Sequence, residues 1–246
     1  MEPLERIREF WDADAACYDR SASHHPSTPL ERAAWAGVLA RLLPAPPARI
    51  LDVGAGTGFL SLTAARLGHR VTALDLSAEM LERLRVKAAA AGLDIEAVEG
   101  RADQPPGDGF DAVIERHLVW TLPAPEATLR RWRRATSGGW LVLFESAWGS
   151  AAQPSEVLKA WGRQALRRLR KVAPAHHAHY PDDVLTALPF GSGIGPGELV
   201  ELVESSGWPG TRIERLHNVE WAMTRSLPPS DRFLGATAPC CAVVAG

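Results

Sequence analysis

Ile50-Leu51-Asp52-Val53-Gly54-Ala55-Gly56-Thr57-Gly58 decides the architecture: a short apolar run ends in an acid and three glycines, and Leu60, Leu62, Ala64, Ala65 and Leu67 follow at helical spacing up to Gly68. Apolar run, tight turn and amphipathic stretch together read as a strand feeding a helix. The unit repeats at once. Val71-Thr72-Ala73-Leu74 reads as the next strand, Ser77 caps a helix with Met80, Leu81 and Leu84 on one face, and Gly92 stops it.

Working outward, Ile95 to Val98 reads as a third strand, and Phe110 to Ile114 and Trp140 to Phe144 as two more, separated by a helix around Glu126 to Ala135 and a Ser137-Gly138-Gly139 turn. Strands that alternate with helices predict a parallel sheet covered on both faces. Upstream, Leu4, Ile7, Phe10 or Trp11, Ala15 and Tyr18 form the apolar stripe of a first helix. After a turn-rich loop, Thr28 caps a second helix that carries Pro29 and Glu31 in its first turn and runs to about Leu43. Downstream, Gly197 to Ser206 reads as a helix, and Arg212 to Trp221 and Cys240 to Val244 as two strands able to close the sheet as a hairpin. The expected fold class is α/β: one domain with a doubly wound, Rossmann-like seven-stranded sheet, helices on both faces and the last strands antiparallel. A helical cap is expected over 1–45, the core over 46–146, an inserted lid over 147–196, and a terminal helix and strands over 197–246.

The composition agrees with a packed globular chain. At 246 residues, with 46% hydrophobic and 23% charged residues, it can bury a sizeable core, which excludes disordered, collagen-like and coiled-coil proteins. Lys and Arg number 27 against 29 acids, a formal charge of −2, so no global positive field recruits nucleic acid or an anionic membrane. Cys17, Cys240 and Cys241 make no disulfide framework, and the N-terminal Met1 to Arg6 carries acids without an apolar run. With no stretch near the roughly 18 apolar residues of a membrane span, the expectation is a soluble cytoplasmic protein, monomer or homodimer, without membrane or nucleic-acid partners.

The glycine turn narrows the ligand. Asp75 closes the second strand, where an acid can accept hydrogen bonds from both ribose hydroxyls of an adenosine-containing cofactor. A dinucleotide turn would read G-x-G-x-x-G, whereas Phe59 here takes the third glycine's place. Asp52 at the strand end would oppose a pyrophosphate and suits a cationic ligand.

In these stretches, with Val71 to Leu81, Phe110-Asp111-Ala112-Val113 and Gly138 to Val142, the chain resembles the class I S-adenosylmethionine-dependent methyltransferases, especially the bacterial small-molecule branch. The resemblance covers residues 1 to 146 well and the remainder in outline. It implies S-adenosyl-L-methionine as cofactor, with the methionine part on Asp52, Gly54, Gly56 and Gly58, the ribose on Asp75, and the adenine at the Arg101-Ala102-Asp103 loop. Relatives often have an acid where Arg101 stands, so the acid for the adenine amine is either missing or moved to Asp103. Leu76 and Met80 could sandwich the adenine ring or belong to the core. The segment from Ile114 to Trp120, including Glu115, lies at the carboxyl edge of the sheet and so faces the cofactor.

Methyl transfer from a sulfonium is an in-line displacement, so the protein must hold the nucleophile close to the methyl in a dry pocket. A hydroxyl or thiol acceptor must lose a proton, and His117 is the expected base, with pocket shaping as its other reading. Tyr18 matches the place where relatives set an aromatic over the methyl donor, as a cation–π contact or as core packing. Trp11 has the same two readings.

His24, His25, His176, His177 and His179 lack metal-ligand spacing and could line the acceptor site instead; no metal is expected. Leu158, Trp161, Ala165, Leu169 and Val172, with basic residues between them, form a basic amphipathic helix. The expected activity is methyl transfer to an O, N or S atom of a small molecule, plausibly in specialised metabolism. A nicotinamide-dependent oxidoreductase and a non-catalytic binding protein on the same fold are the alternatives.

Overall fold

A computed structural model describes residues 3–21, 24–136, 138–146, 180, 182–233 and 239–246. The basic helix expected over Leu158 to Val172, and His176, His177 and His179, lie outside the described residues.

Pro3–Asp14 forms α1, and Tyr18–Arg20 is a separate turn of 3-10 helix, so the first helix ends four residues before the expected Tyr18. Pro29–Leu42 forms α2, whose start is fixed by a complete capping box: Glu31 N–H donates to Thr28 Oγ1 at 3.2 Å while Glu31 Oε2 accepts from Thr28 N–H at 3.3 Å. The βα units follow as β1 (Arg49–Val53), α3 (Phe59–Arg66), β2 (Arg70–Asp75), α4 (Ala78–Ala90), β3 (Ile95–Glu99), β4 (Ala112–Arg116), α5 (Pro125–Thr136) and β5 (Trp140–Ser146). The rest comprises α6 (Asp182–Thr186), α7 (Pro196–Ser205), β6 (Arg212–Arg215), α8 (His217–Ser226), α9 (Pro229–Phe233) and β7 (Cys240–Ala245).

The seven strands form one sheet in the order β3-β2-β1-β4-β5-β7-β6. The first five are parallel, and β7 pairs antiparallel with both β5 and β6, as the sequence predicts. Helices cover both faces. Trp35 and Leu39 of α2, Leu60 and Ala64 of α3 and Val219 of α8 pack on one face, where Leu81 and Leu84 of α4 cover Ala73. Leu129 and Trp132 of α5 and Leu199 and Val203 of α7 pack on the other.

Two elements depart from expectation. The fourth strand starts at Ala112 rather than Phe110: Phe110 N–H turns back to Ala135 O at 3.1 Å, and Asp111 leads into the strand. Its carboxylate accepts from Arg49 N–H at 2.7 Å and its carbonyl from Trp140 N–H at 2.9 Å. The stretch Arg212 to Trp221 is a strand only to Arg215. Beyond it, Val219 and Ala222 are buried three residues apart on α8, a helical spacing that the β-branched and aromatic content of the stretch conceals. Of the expected lid, α6 is described, with Val184 buried against Ile7 of α1 and Tyr180.

Trp132 ties this packing to the loop after β3: its ring is fully buried and its indole N–H donates to Ala102 O at 2.7 Å. Trp132→Ala is expected to lower unfolding stability by about 3–5 kcal/mol, read as a reduced urea midpoint at unchanged slope. A loss under 1 kcal/mol would show that α5 does not depend on this side chain.

Candidate active site

The sheet order reverses between β1 and β4, and at that point the carboxyl ends of the strands open onto a cavity of about 720 Å³. Register brings the strand tips level, with Val53 opposite both Leu74 and Glu115. Residues just beyond those tips therefore meet.

One end of the cavity is built on the glycine turn. Gly54 and Gly56 hold positive φ angles of 68° and 53°, and both line the cavity. A Cβ on Gly54 would come within 2.9 Å of Leu118 Cδ1, whereas above Gly56 there is open space. The wall here is bare backbone, which lets a ligand approach closely. Asp75 stands opposite, accepting Gly56 N–H at 2.7 Å on Oδ2 and Ser77 N–H at 2.9 Å on Oδ1. Burial raises its pKa, opposed by those amide contacts. Leu76, Met80 and Ala102 give this end an apolar lining.

Asp103 also lines the cavity, and it is held by two arginines: Arg101 Nε donates to Oδ1 at 2.8 Å, and Arg131 Nη1 lies 3.2 Å from Oδ2. Its hydrogen bond with Arg101 lowers its pKa, so it stays ionised.

The other end is formed by Arg116, His117, His24 and Tyr18. His117 has φ 61°, a left-handed conformation that costs a non-glycine residue roughly 1–2 kcal/mol. Its N–H donates to Phe144 O at 3.1 Å, and its Nδ1 lies 3.1 Å from Glu145 Oε2. Burial lowers the imidazole pKa well below 6.5, reinforced by the charges of Arg116 and then His24, so the ring is neutral at pH 7. The Arg116 guanidinium sits over the Phe59 ring at 4.1 Å.

Tyr18 is placed by its neighbour Asp19, whose carboxylate accepts from Thr57 Oγ1 at 2.6 Å and pairs with Lys87. The phenol stacks on His24 at 4.0 Å between centroids, and burial pushes its pKa up to about 12. Trp11 packs edge-on against Tyr18, and Phe10 stacks on Tyr180 at 4.4 Å. These aromatics, with Trp120, form an apolar wall.

Of the twelve expected site residues, Asp52, Gly58 and Glu115 do not line this cavity. Asp52 is 1% exposed beneath the turn, where Ser61 Oγ donates to it and burial raises its pKa to about 7, so it is set back from any ligand in the cavity. Gly58 faces Leu62 and Leu84, in a separate cleft. Glu115 is fully buried and accepts Leu118 N–H at 2.8 Å, closing the turn after β4. The other nine are on the wall. Sequence reasoning missed Glu145 and Tyr180, and it placed Arg116 and Trp120 in the Ile114 to Trp120 segment without giving either a role; an acid ending the apolar run Trp140 to Phe144 was the one available signal for Glu145. His25 lies in the separate cleft rather than on the cavity. Among the described residues no group of three or more His, Cys, Asp or Glu is placed to hold a metal, and no helix is long and apolar enough to cross a membrane.

Residues 50–139 match a family model described as a methyltransferase domain. The chain is similar to a methyltransferase domain over that stretch. It is 37% identical over 125 residues to a ubiquinone biosynthesis O-methyltransferase of Xanthomonas axonopodis pv. citri, covering 49% of this chain and 48% of that protein. An uncharacterised Mycobacterium bovis protein is 43% identical over 82 residues, 32% of this chain and 30% of that one. The chain thus spans about half the length, or less, of these relatives. Among solved structures, phosphoethanolamine N-methyltransferase 2 of Haemonchus contortus aligns with a TM-score of 0.64 at 15% identity, over 100% of this chain and 60% of that one. Magnesium protoporphyrin IX methyltransferase of Synechocystis aligns at 0.61 and 14%, over 99% of both chains. The matched stretch holds the glycine turn, Asp75 and His117; Tyr18 and Glu145 lie outside it.

Beneath the cavity, burial raises the pKa of Glu115 well above 4.5 and that of Glu145 to about 8. A carboxyl whose folded pKa is raised contributes stability that is fully present below its unfolded pKa and is lost as pH rises towards the folded one. Glu115→Gln is therefore expected to gain in melting temperature over the parent as pH goes from 5 to 8. A difference that stays constant across that range would contradict the burial argument.

Proposed function

We propose that the protein transfers the methyl group of S-adenosylmethionine to a hydroxyl oxygen of a small, largely apolar molecule, in a cytoplasmic setting where its thiols stay reduced. The observation that carries this reading is that one cavity joins the bare-backbone turn and Asp75 to a neutral histidine across an aromatic wall. The donor set fits the cofactor. Asp75 would take the ribose hydroxyls, Leu76, Met80 and Ala102 the adenine, and Gly54 and Gly56 the methionine part. Asp103, already ionised, is the acid available to the adenine amine in place of Arg101.

When bound, the sulfonium would supply an electrophilic methyl to which the acceptor oxygen bonds in line as the carbon–sulfur bond breaks and S-adenosylhomocysteine leaves. Tyr18, kept a neutral phenol, offers a π-face to that positive charge without neutralising it. His117 accepts the hydroxyl proton, and Arg116 favours an acceptor oxygen that becomes anionic as it attacks. The aromatic wall excludes water, which strengthens these interactions and protects the nucleophile. An oxygen acceptor is supported by the relatives named O-methyltransferase, and a planar or ring-bearing one by the wall of Phe10, Trp11, Trp120 and Tyr180. Specialised metabolism remains the setting we favour for such an acceptor.

Calorimetry is expected to show binding of S-adenosylmethionine and S-adenosylhomocysteine but not NAD, weakened roughly 10- to 100-fold in Asp75→Ala by loss of charge-assisted hydrogen bonds. With a panel of phenols and radiolabelled methyl donor, His117→Ala should retain cofactor affinity and lose turnover by about 10²–10⁴-fold. Failure of both adenosyl compounds to bind would sink the reading; full turnover by His117→Ala would remove the base.

A further inference from the structure

Behind His117 lies the buried carboxyl of Glu145. Its side chain is 3% exposed, it is absent from the cavity wall, and its Oε2 lies 3.1 Å from His117 Nδ1. With Nδ1 engaged from behind, chemistry in the cavity falls to Nε2. Whether Nε2 carries a lone pair or a proton depends on which partner of the buried contact owns the hydrogen.

Each arrangement has a definite consequence. A protonated Glu145 donates to Nδ1, so a neutral ring must keep its proton on Nε2 and cannot accept another there. An ionised Glu145 accepts from Nδ1–H, which leaves Nε2 as a lone pair. Going from the first state to the second releases one proton to solvent, and the pair, rather than either residue, titrates.

The surroundings hold the acid in its neutral form to an unusual pH. Oε1 of Glu145 and Oε1 of Glu115 are both buried without a hydrogen-bond partner among the described residues, and a carboxylate with an unsatisfied oxygen in a dry site is costly. The titratable and charged groups around the pair are Glu115 and Arg116 on β4, Cys240 and Cys241 on β7, His24 beyond Tyr18, and Asp52 on β1. Among them the Arg116 cation favours ionised Glu145, against its burial. Glu115 has its other oxygen committed to Leu118 N–H.

We propose that Glu145 is a positioning residue that sets the tautomer of His117, so that the histidine becomes a base at Nε2 only when Glu145 loses its proton. The proposal rests on methyl transfer for its purpose, but its physical content is a property of the protein alone. Burial raises the Glu145 pKa to about 8, which places the switch on the alkaline side of neutrality.

The test follows His117 by long-range ¹H–¹⁵N spectroscopy of the full chain labelled with ¹⁵N-histidine, its signals assigned by their loss in His117→Asn, between pH 6 and pH 9.5. The expected result is the Nε2–H tautomer at the acid end and the Nδ1–H tautomer at the alkaline end, with a midpoint near 8. In Glu145→Gln, whose amide keeps the contact but does not titrate, the switch should vanish. In Glu115→Gln it should persist at a similar midpoint. A single tautomer throughout in the parent, a switch that survives Glu145→Gln, or one abolished by Glu115→Gln would overturn the assignment. Paired pH profiles of kcat/KM on the phenol panel should rise about tenfold per pH unit below the midpoint, and that limb should be lost in Glu145→Gln. A tautomer switch without methyl transfer would sink the proposed activity and leave this inference standing. Transfer with an unswitched histidine would do the reverse.

Discussion

The placement of β1 between β2 and β4 is the constraint on which the site depends. The chain builds outward from β1 in one direction to β2 and β3, then returns to add β4 and β5 on the other side. Connections on the two sides diverge, and a crevice is left above the carboxyl ends of the central strands. Because β1, β2 and β4 end level, the first residues past each tip become neighbours: Gly54 and Gly56 past β1, Asp75 and Leu76 at the tip of β2, Arg116 and His117 at the tip of β4. The hydrogen bond from Gly56 N–H to Asp75 then locks two of the three tips together. No residue need be strained to assemble this end of the cavity, since glycine adopts the positive φ angles freely.

The roof is made differently. α1 lies over the crevice through Ile7, Phe10 and Trp11 and is pinned at its rim by polar contacts: Asp12 accepts from Ser77 Oγ at 2.6 Å, and beyond the helix Asp19 accepts from Thr57 Oγ1. Both partners belong to the βα turns that form the floor, so one set of turns shapes the binding surface and holds its cover. The apolar face of α1 supplies burial, and the rim contacts supply registration. Tyr18 reaches the cavity because Asp19, its neighbour, is fixed in this way.

The βα units were legible in the sequence because their signals are local. A glycine turn after an apolar run, Ser77 and Thr28 as caps, and Asp75 at a strand end each follow from backbone chemistry within a few residues. Depth was not legible. Period-two alternation assigns a residue to a face of the sheet, but whether a strand tip is covered depends on distant segments such as α1 and Tyr180. Asp52 and Glu115 therefore read as wall residues and lie beneath it, while Glu145, just past the apolar run Trp140 to Phe144, carries no local sign that it is buried behind His117. The helix at His217–Ser226 was missed for a related reason: its buried stripe is only Val219 and Ala222, too short to compete with the strand-forming composition around it.

The acids beneath the floor give the cavity its particular electrostatics. Burying Asp52, Glu115 and Glu145 under an apolar wall opposes folding, and the packed faces of the sheet must offset it. The same dryness weakens His117 as a base, since it disfavours the imidazolium that proton transfer would create. An imidazole alone in that environment would be neutral but reluctant. Once Glu145 has lost its proton, its carboxylate at Nδ1 reverses the balance as a proton arrives at Nε2, because an ion pair across 3.1 Å in a low dielectric stabilises the imidazolium more than water-screened charges would. Burial and carboxylate are therefore complementary: the first keeps His117 neutral and the pocket dry, and the second restores the basicity that burial removes.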